Sequence, residues 1–291
     1  MGFGPNKKAS FDGEQTFHHR EKGFHELYTT LTSLLRRKFS ISEEWDILFL
    51  TGSGTLANEA VIFSMDIEFT VLYPKYEFAT RLEDMLECYE KRDEWSDNKV
   101  LVAYETADSK FNGTLLPEDG LHFVDMVSAF PYYQPPPNVG IWTAVSSKQL
   151  GAVPIISMVF VHHDSWEEMI CADDVYSYLN LDRYRVSQKD RMEPPHTPAI
   201  GAMIDFVHCL NEFDREKFIV KVSNRRNYLM EVIPDEKIVG EGPVLSIAKD
   251  WIPEGIADKF ALYRGNEVRQ VFLYSGSDTE YENLHKELKS L

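Results

Sequence analysis

Short apolar runs that alternate with helix-like segments constrain the fold of this chain most strongly. The run Trp45–Leu50 has the pattern of a buried strand, and the apolar spacing over residues 24–35 before it predicts a helix that ends near Lys38. Four further strand-like runs, separated by turn or helical segments, lie at residues 69–73, 100–104, 121–126 and 140–145. This alternation predicts an α/β sheet with helices on its faces.

The last third of the chain predicts a second, smaller unit. Helical patterns cover residues 199–210 and 215–233, strand-like patterns cover residues 244–248 and 268–274, and a last helix is predicted from about Thr279. A chain of 291 residues can bury one substantial core and still form a smaller lobe. We therefore predict a large domain over residues 16–205, a small α+β domain over residues 206–291, and an N-terminal segment, residues 1–15, that packs near the small domain.

Charge and cysteine content exclude several classes of partner and location. With 47 acidic and 30 basic residues the net charge is −17, which repels phosphates and anionic membranes, so neither nucleic acid nor a membrane is expected as a partner. Cys88, Cys171 and Cys209 form no CxxC pair, and no segment resembles a membrane span or a signal peptide, so we expect a cytoplasmic protein. The histidine pairs at residues 18–19 and 162–163 lack further ligands at metal spacing, which predicts no metal site.

The first predicted strand runs directly into a turn of small and hydroxyl-bearing residues, Gly52-Ser53-Gly54-Thr55, and a helical segment follows. Free N–H groups and the helix dipole favour a phosphate at such a position, and the Ser53 and Thr55 hydroxyls can add donors. The turn lacks the Gly-Lys-Ser/Thr ending of a P-loop and the GxGxxG spacing of dinucleotide-binding folds. Taken alone, it is as consistent with a structural turn as with an anion site.

Two ionisable residues follow later strands. Asp125 ends an apolar run, where a carboxylate needs a cation or hydrogen-bond donors. A pyridinium nitrogen would serve, and capping of the next turn is the alternative. Lys148 follows another strand and precedes a glycine-containing turn. Lysine forms Schiff bases with carbonyl compounds, although most lysines are simply solvated at the surface.

These motifs occur together in the order found in one enzyme family. From about Gly4 to Leu288 the chain resembles, in a shortened form, the class V aminotransferases, a branch of the fold-type I pyridoxal-phosphate enzymes that includes 2-aminoethylphosphonate and serine:glyoxylate transaminases. The matching segments are Phe3-Gly4-Pro5, His19–Phe24, Thr51–Val61, Glu105-Thr106, Val124–Phe130, Ser146–Pro154 and Glu193–Ile200. The resemblance implies a mostly parallel mixed sheet with helices on both faces, a reduced C-terminal α+β lobe, and a homodimer with shared active sites.

The same resemblance implies the cofactor pyridoxal 5′-phosphate and a role for each matched residue. Lys148 would hold the cofactor as a Schiff base and act as general acid and base, and Asp125 would pair with the pyridine nitrogen. The turn at residues 53–55 would bind the phosphate, and Thr197 would reach that phosphate from the other subunit. Phe78 would lie over the pyridine ring, with ordinary core packing as its alternative. The implied cofactor-binding set is Ser53, Gly54, Thr55, Phe78, Thr106, Asp125, Ser128, Ser147, Lys148 and Thr197.

Arg269 and His19 are the substrate-binding residues that the resemblance implies. Arg269 falls where the family keeps an arginine for a carboxylate or phosphonate, and its planar guanidinium suits such an anion. An exposed arginine on an edge strand is the alternative. Arg183, Arg185 and Arg191 are further candidates for substrate or interface contacts.

The first hypothesis for function is an aminotransferase that acts on a small amino acid or aminophosphonate with an oxoacid acceptor. The chain is shorter than typical family members, and Ser128 is followed by Ala129 instead of a second serine, so the substrate cannot be carried over by analogy. Because the cofactor also supports other bond cleavages, the second hypothesis is a decarboxylase or lyase, including one whose amino acid is attached to a carrier such as a modified nucleobase. The third is a catalytically inactive homologue that acts as a binding protein.

Overall fold

A computed structural model describes residues 20–65, 69–72, 77–90, 100–103, 121–169, 176–264 and 267–291 of the chain. The helices are α1 (Lys22–Phe39), α2 (Gly54–Ser64), α3 (Glu77–Cys88), α4 (Leu181–Arg191), α5 (Ile200–Glu212), α6 (Arg215–Met230), α7 (Glu254–Lys259) and α8 (Asp278–Lys289). The strands are β1 (Trp45–Thr51), β2 (Thr70–Leu72), β3 (Val100–Ala103), β4 (His122–Asp125), β5 (Ile141–Val145), β6 (Ile156–His162), β7 (Ile238–Glu241), β8 (Val244–Ala248), β9 (Tyr263–Arg264) and β10 (Val268–Phe272). Within these ranges no helix is long and apolar enough to span a membrane.

The first sheet has six strands in the order β1-β6-β5-β4-β3-β2. The pairs β2–β3, β3–β4 and β4–β5 are parallel, whereas β6 is antiparallel to both β5 and β1. The predicted α/β architecture with a mixed, mostly parallel sheet is therefore confirmed. Because β1, β4 and β5 run in the same direction, their carboxyl ends lie at one edge of the sheet, which is where ligands bind in folds of this class.

Side chains on the two faces of this sheet pack into two separate cores, as the period of two along a strand requires. Ile47 and Phe49 of β1 belong to the core that includes residues of α1 and α5. The alternate residues Leu48 and Leu50 belong to the core that includes residues of α2, α3 and α4. Helices therefore cover both faces, and the strands are apolar on both sides.

The C-terminal lobe is built on a second, four-stranded antiparallel sheet in the order β7-β8-β10-β9. Residues of α6, α7 and α8 pack with this sheet in a third core. A capping box between Ser277 and Glu280 starts α8, close to the predicted start of the last helix.

The predicted domain boundary at residue 205 falls inside α5. Phe206 and Leu210 of that helix pack in a core of the first sheet. Phe213, just beyond it, contacts both that core and the core of the C-terminal lobe. We therefore propose a boundary after α5 instead of within it. The predicted N-terminal segment at residues 1–15 lies outside the described residues.

Candidate active site

The turn between β1 and α2 brings the helix N-terminus to the edge of the sheet where β4 and β5 also end. Ser53 is the N-cap of α2, and its Oγ accepts a hydrogen bond from the Leu56 N–H at 3.4 Å. A Cβ atom at Gly54 would lie only 2.5 Å from a methyl group of Val127, in the loop that follows β4. Glycine is therefore required by this close approach. The first turn of α2 suits an anion, because its backbone N–H groups lack carbonyl partners in a preceding turn and the positive end of the helix dipole lies there.

Asp125 is a buried carboxylate at the end of β4, 8% exposed. Its Oδ1 accepts a hydrogen bond from the Val127 N–H at 2.8 Å, and its Oδ2 accepts one from Asn58 Nδ2 at 2.8 Å. Burial raises the pKa of Asp125 above its usual value, although the two hydrogen bonds and the positive charge of Lys148 oppose this shift. Each carboxylate oxygen has a second lone pair, so Asp125 can accept a further charged donor such as a protonated ring nitrogen.

Asn58 is a site residue that sequence reasoning did not identify. It lies on α2 one turn after Gly54 and is 4% exposed. Its side-chain oxygen accepts a 2.6 Å hydrogen bond from Thr143 Oγ1 on β5, while its side-chain nitrogen binds Asp125. The available signal was an amide side chain within an otherwise apolar helix, because a buried amide requires polar partners.

Lys148 lies in the connection between the antiparallel strands β5 and β6. Its Nζ donates a 2.7 Å hydrogen bond to Ser128 Oγ, and Ser128 itself is buried. The Lys148 backbone has φ of 50°, in the left-handed region that favours glycine. Such a conformation costs about 1 kcal/mol for a lysine, and strain of this kind is concentrated at functional sites. The strain indicates that the position of the amino group is maintained by the surrounding loop.

Gln149 fixes this loop against the loop that follows β4, and it too was missed by sequence reasoning. Its Nε2 donates to the Ser128 carbonyl oxygen at 2.6 Å, and its Oε1 accepts from the Tyr132 N–H at 3.0 Å. Gln149 is fully buried. The side chain therefore holds Ser128 and Lys148 in register with each other.

The remaining residues of the predicted cofactor set differ in how far the structure describes them. Thr55 is half-buried in the first turn of α2, and Ser147 is buried directly before Lys148. Thr197 is exposed on the segment before α5, and two residues later the Ala199 N–H donates to Thr51 Oγ1 at 3.1 Å, so this segment lies beside the end of β1. Thr106 and His19 lie outside the described residues, and Phe78 lies on α3 without a described side chain.

Arg269 lies elsewhere, in the C-terminal sheet. It is 3% exposed, and its guanidinium forms an ion pair with Glu254 Oε2 at 2.5 Å, while its Nε has no hydrogen-bond partner among the described residues. The described residues that line the adjacent groove all belong to the C-terminal lobe. None of these contacts brings Arg269 together with Lys148 or Asp125, so its substrate role stays a prediction.

The other arginines that the sequence pointed to also have local partners. The Arg183 guanidinium lies 4.1 Å from the centre of the Tyr176 ring, and the Arg185 guanidinium lies 4.6 Å from the centre of the Trp166 ring. Within the described ranges no group of three His, Cys, Asp or Glu side chains could hold a metal ion.

Comparison with known proteins shows the fold. No family model and no curated protein sequence matches the chain. An aspartate aminotransferase of subgroup IV from Thermus thermophilus is similar in structure, with a TM-score of 0.76 at 20% identity over 98% of this chain and 97% of that one. An alanine–glyoxylate aminotransferase from Nostoc gives 0.75 at 17% identity over 99% and 93%. A pyridoxal-phosphate-bound phosphoserine aminotransferase from Trichomonas vaginalis gives 0.74 at 14% identity over 94% and 90%. The chain therefore has the fold-type I aminotransferase fold that the sequence resemblance implied.

Proposed function

We propose that this chain is a pyridoxal 5′-phosphate-dependent aminotransferase that moves an amino group between a small amino acid or aminophosphonate and an oxoacid. One observation carries the proposal. Three features lie close together at one edge of a fold-type I sheet. They are Lys148 with its strained backbone, the buried carboxylate of Asp125, and the start of α2 at Gly54. Each of these three features serves one part of this cofactor.

The side chains present fit the cofactor in their chemistry. The N-terminus of α2, with the Ser53 and Thr55 hydroxyls, would hold the phosphate, and the absence of a Cβ at Gly54 is what allows that helix start to lie against Val127. Asp125 has lone pairs left for a protonated ring nitrogen. Lys148 supplies the amino group that binds an aldehyde.

When bound, the cofactor supplies an aldehyde that exchanges amines and a ring that accepts the electron pair of the broken bond. Asp125, when ionised, keeps the ring nitrogen protonated, which strengthens that acceptor. Lys148 Nζ would bind the aldehyde and, once a substrate amine has taken its place, would act as general base for the substrate Cα proton and as the general acid that returns a proton. Ser128 Oγ, which contacts Nζ at 2.7 Å, would orient the lysine amino group for this proton transfer. The same residues would serve the return of the amino group to the oxoacid.

We also propose a homodimer in which Thr197 contacts the phosphate of the neighbouring subunit. The segment around Thr197 supports this, because large apolar side chains close to it are exposed. Tyr176 and Tyr178, whose rings contact His196, are 70% and 56% exposed, and Met192, five positions earlier in sequence, is 50% exposed. The ring of Tyr178 stacks on His196, the residue before Thr197, at 3.7 Å. A second copy of the chain would bury this patch. A monomer in analytical ultracentrifugation that binds the cofactor with full affinity would contradict the shared site.

A cytoplasmic location belongs to the same proposal. Cys88 is a free, exposed thiol in the structure, which suits a reducing compartment. Fractionation of the producing cells would test it, and recovery of the protein outside the cytoplasm would contradict it.

The cofactor assignment is tested by visible absorbance after the full-length protein is mixed with pyridoxal 5′-phosphate. We expect the absorbance of a lysine-bound cofactor, its loss in Lys148→Ala, and its retention in the surface variant Lys189→Ala. An unchanged spectrum in Lys148→Ala would overturn the assignment.

The reaction type is tested with a panel of amino acids and aminophosphonates. We expect conversion of the bound cofactor to its amine form, reversed by an oxoacid. Release of carbon dioxide or of an eliminated group instead would replace the aminotransferase with the decarboxylase or lyase. Cofactor binding without turnover of any compound would favour the binding protein.

A further inference from the structure

A chain of two buried hydrogen bonds leads from β5 through α2 to the carboxylate at the end of β4. Thr143 Oγ1 donates to Asn58 Oδ1 at 2.6 Å, and Asn58 Nδ2 donates to Asp125 Oδ2 at 2.8 Å. Thr143 is fully buried, Asn58 is 4% exposed and Asp125 is 8% exposed. The geometry of both bonds is that of ordinary strong hydrogen bonds, and bulk water has little access to them.

The two hydrogen bonds have a common direction, because Thr143 and Asn58 each donate toward the carboxylate. The Thr143 hydroxyl occupies the amide oxygen of Asn58, which leaves the amide nitrogen to face Asp125. Hydrogen bonds in series polarise one another, so the second donor is strengthened by the first. A reversed Asn58 amide would direct its oxygen at an anionic oxygen, which is repulsive. The observed order is therefore the one that stabilises an ionised Asp125.

The same two hydrogen bonds connect the three parts of the candidate site, which are the start of α2, Asp125 and the strand that leads to Lys148. Asn58 lies one turn after Gly54 on the helix whose N-terminus would hold the phosphate. Thr143 lies on the strand that leads to Lys148, and its carbonyl oxygen also accepts the Met126 N–H at 3.1 Å, beside Asp125. A shift of any one element relative to the others would break these bonds.

Asn58 is also a poor choice for α2 on local grounds. Asparagine is a weaker helix former than the leucine and alanine that precede it, and a buried amide is unfavourable unless it is hydrogen-bonded. A leucine at this position would suit both the helix and its apolar face. The amide is therefore explained by the carboxylate that it contacts.

We propose that Asn58, oriented by Thr143, is a positioning residue that holds the Asp125 carboxylate ionised and aimed at the cofactor ring, an inference that rests on the proposed function.

The groups that face Asp125 come from each element packed around it. Asn58 comes from α2, the Val127 N–H comes from its own loop, and Lys148 is the cation that acts on it from the β5–β6 connection. Burial opposes ionisation, so loss of one of the two donors should make Asp125 harder to ionise. This effect exists with or without a bound cofactor.

The test therefore starts with the cofactor-free, full-length protein labelled with ¹³C at the aspartate carboxyl carbons, and Asp125→Asn assigns the Asp125 signal. In Asn58→Leu we expect the Asp125 titration midpoint to rise by about one pH unit or more, as for a buried carboxylate that loses a donor. In Thr143→Val, which keeps the shape of the side chain, we expect a smaller rise, and Thr143→Ser should restore the wild-type midpoint. The double variant should shift no further than Asn58→Leu, because both residues act through one bond.

A matched control separates this role from loss of a hydrogen-bonded threonine hydroxyl in general. The half-buried Thr32 donates its hydroxyl to the carbonyl oxygen of Tyr28 within its own helix, so Thr32→Val should leave the Asp125 midpoint unchanged. The second readout is the dissociation constant for pyridoxal 5′-phosphate, which we expect to rise about tenfold in Asn58→Leu, the effect of weakening one charge-assisted bond.

The outcomes distinguish this inference from the proposed function. Unchanged Asp125 midpoints in both Asn58→Leu and Thr143→Val overturn the positioning role, even if the wild-type protein binds the cofactor. A raised midpoint in a protein that does not bind pyridoxal 5′-phosphate supports the hold on Asp125 and refutes the cofactor proposal. If Asn58→Leu does not fold, Thr143→Val and Thr143→Ser decide the question by the same midpoint.

Discussion

Asp125 in the first sheet and Arg269 in the C-terminal sheet are both buried charged side chains, but their surroundings differ. In the first sheet, Asp125 is surrounded by neutral donors, Asn58 and the Val127 N–H, and its pKa is raised by burial. In the C-terminal sheet, Arg269 is paired directly with the carboxylate of Glu254. The first charge still has lone pairs to offer, whereas the second is neutralised within its own lobe.

This difference distinguishes a charge that is available to a ligand, that of Asp125, from a charge that is paired within the folded protein, that of Arg269. A buried carboxylate whose hydrogen-bond donors are neutral is unfavourable, because the positive charge of Lys148 offsets only part of the cost of burial, so the protein retains it at a cost in stability. Arg269 already has a counter-ion, so its charge does not require a second one. Asp125 therefore has the character of a functional group, whereas the pairing of Arg269 with Glu254 gives no support to the predicted substrate role of Arg269.

The largest effect is expected from removal of the Asp125 charge. Asp125→Asn keeps the size of the side chain but no longer stabilises a protonated ring nitrogen, so kcat/KM for transamination should fall by about a hundredfold or more, as when one preorganised electrostatic group is lost. The parallel change Arg269→Met should leave KM for amino acid substrates unchanged. A raised KM in Arg269→Met, measured by steady-state kinetics, would support the predicted substrate role of Arg269 and contradict this comparison of the two charges.

The glycines that begin helices in the two regions provide the next comparison. A Cβ at Gly54 would overlap Val127, so Gly54→Ala should lower the free energy of unfolding by about 1–3 kcal/mol. A Cβ at Gly255, near the start of α7, would meet nothing within 4 Å, so Gly255→Ala should be neutral or stabilising by up to about 1 kcal/mol. Urea unfolding measures both changes.

A compensating change tests the cause of the Gly54 effect. Val127→Ala removes the two methyl groups that the new Cβ would meet. The double variant Gly54→Ala/Val127→Ala should therefore be less destabilised than the sum of the two single variants. Simple additivity would show that the close approach of α2 to this loop is not what requires glycine.

Removal of Glu254 tests whether the charge of Arg269 is compensated by a partner within the C-terminal lobe. Glu254→Ala leaves the buried Arg269 guanidinium without its partner, so the free energy of unfolding should fall by about 1–2 kcal/mol. The expected loss is smaller than for a fully buried ion pair, because the Glu254 side chain is 55% exposed. The double variant Glu254→Ala/Arg269→Met should recover part of that loss. No loss in Glu254→Ala, measured by urea unfolding, would mean that Arg269 is satisfied by other groups.

The parts of the site that could be predicted are those encoded over a few adjacent residues. The turn at residues 52–55, Asp125 at a strand end and Lys148 before a glycine turn each leave a local pattern, and their order along the chain matches one family. The strands at residues 121–126 and 140–145 were predicted for the same reason, because apolar runs bounded by turns are local. Local patterns therefore gave most of the first sheet and three positions of its candidate site.

The features that were missed depend on partners distant in sequence. Asn58 is separated from Asp125 by 67 positions and from Thr143 by 85, so no window of sequence shows that the amide has a carboxylate to bind. The strand β6 was also not predicted, although its apolar run is a local signal, and its antiparallel direction depends on its pairing with β1 and β5. The pairing of Arg269 with Glu254 likewise joins two elements 15 positions apart that no periodicity relates.

The smallest effect is expected in the pH dependence of stability, for two carboxylates whose pKa values shift in opposite directions. Burial raises the pKa of Asp125, whereas the hydrogen bond and charge of Arg225 lower the pKa of the exposed Asp278 in the C-terminal lobe. The cost of ionising Asp125 is therefore absent below the unfolded-state pKa of about 4 and grows as the pH rises through the folded-state pKa. The benefit of ionised Asp278 is present above about pH 4 and is lost as the pH falls through its lowered pKa.

The two asparagine variants should therefore differ in sign in the cofactor-free protein at neutral pH. Asp125→Asn should be more stable than wild type at pH 7.5, by a margin that shrinks toward pH 4.5, and the Asn58 amide can turn to bond the new amide because the Thr143 hydroxyl accepts as well as donates. Asp278→Asn should be less stable than wild type at both pH values. Urea unfolding at each pH measures the margins, and a loss of stability in Asp125→Asn at pH 7.5 would show that the carboxylate stabilises the fold as Glu254 does, which would remove the distinction between the two regions.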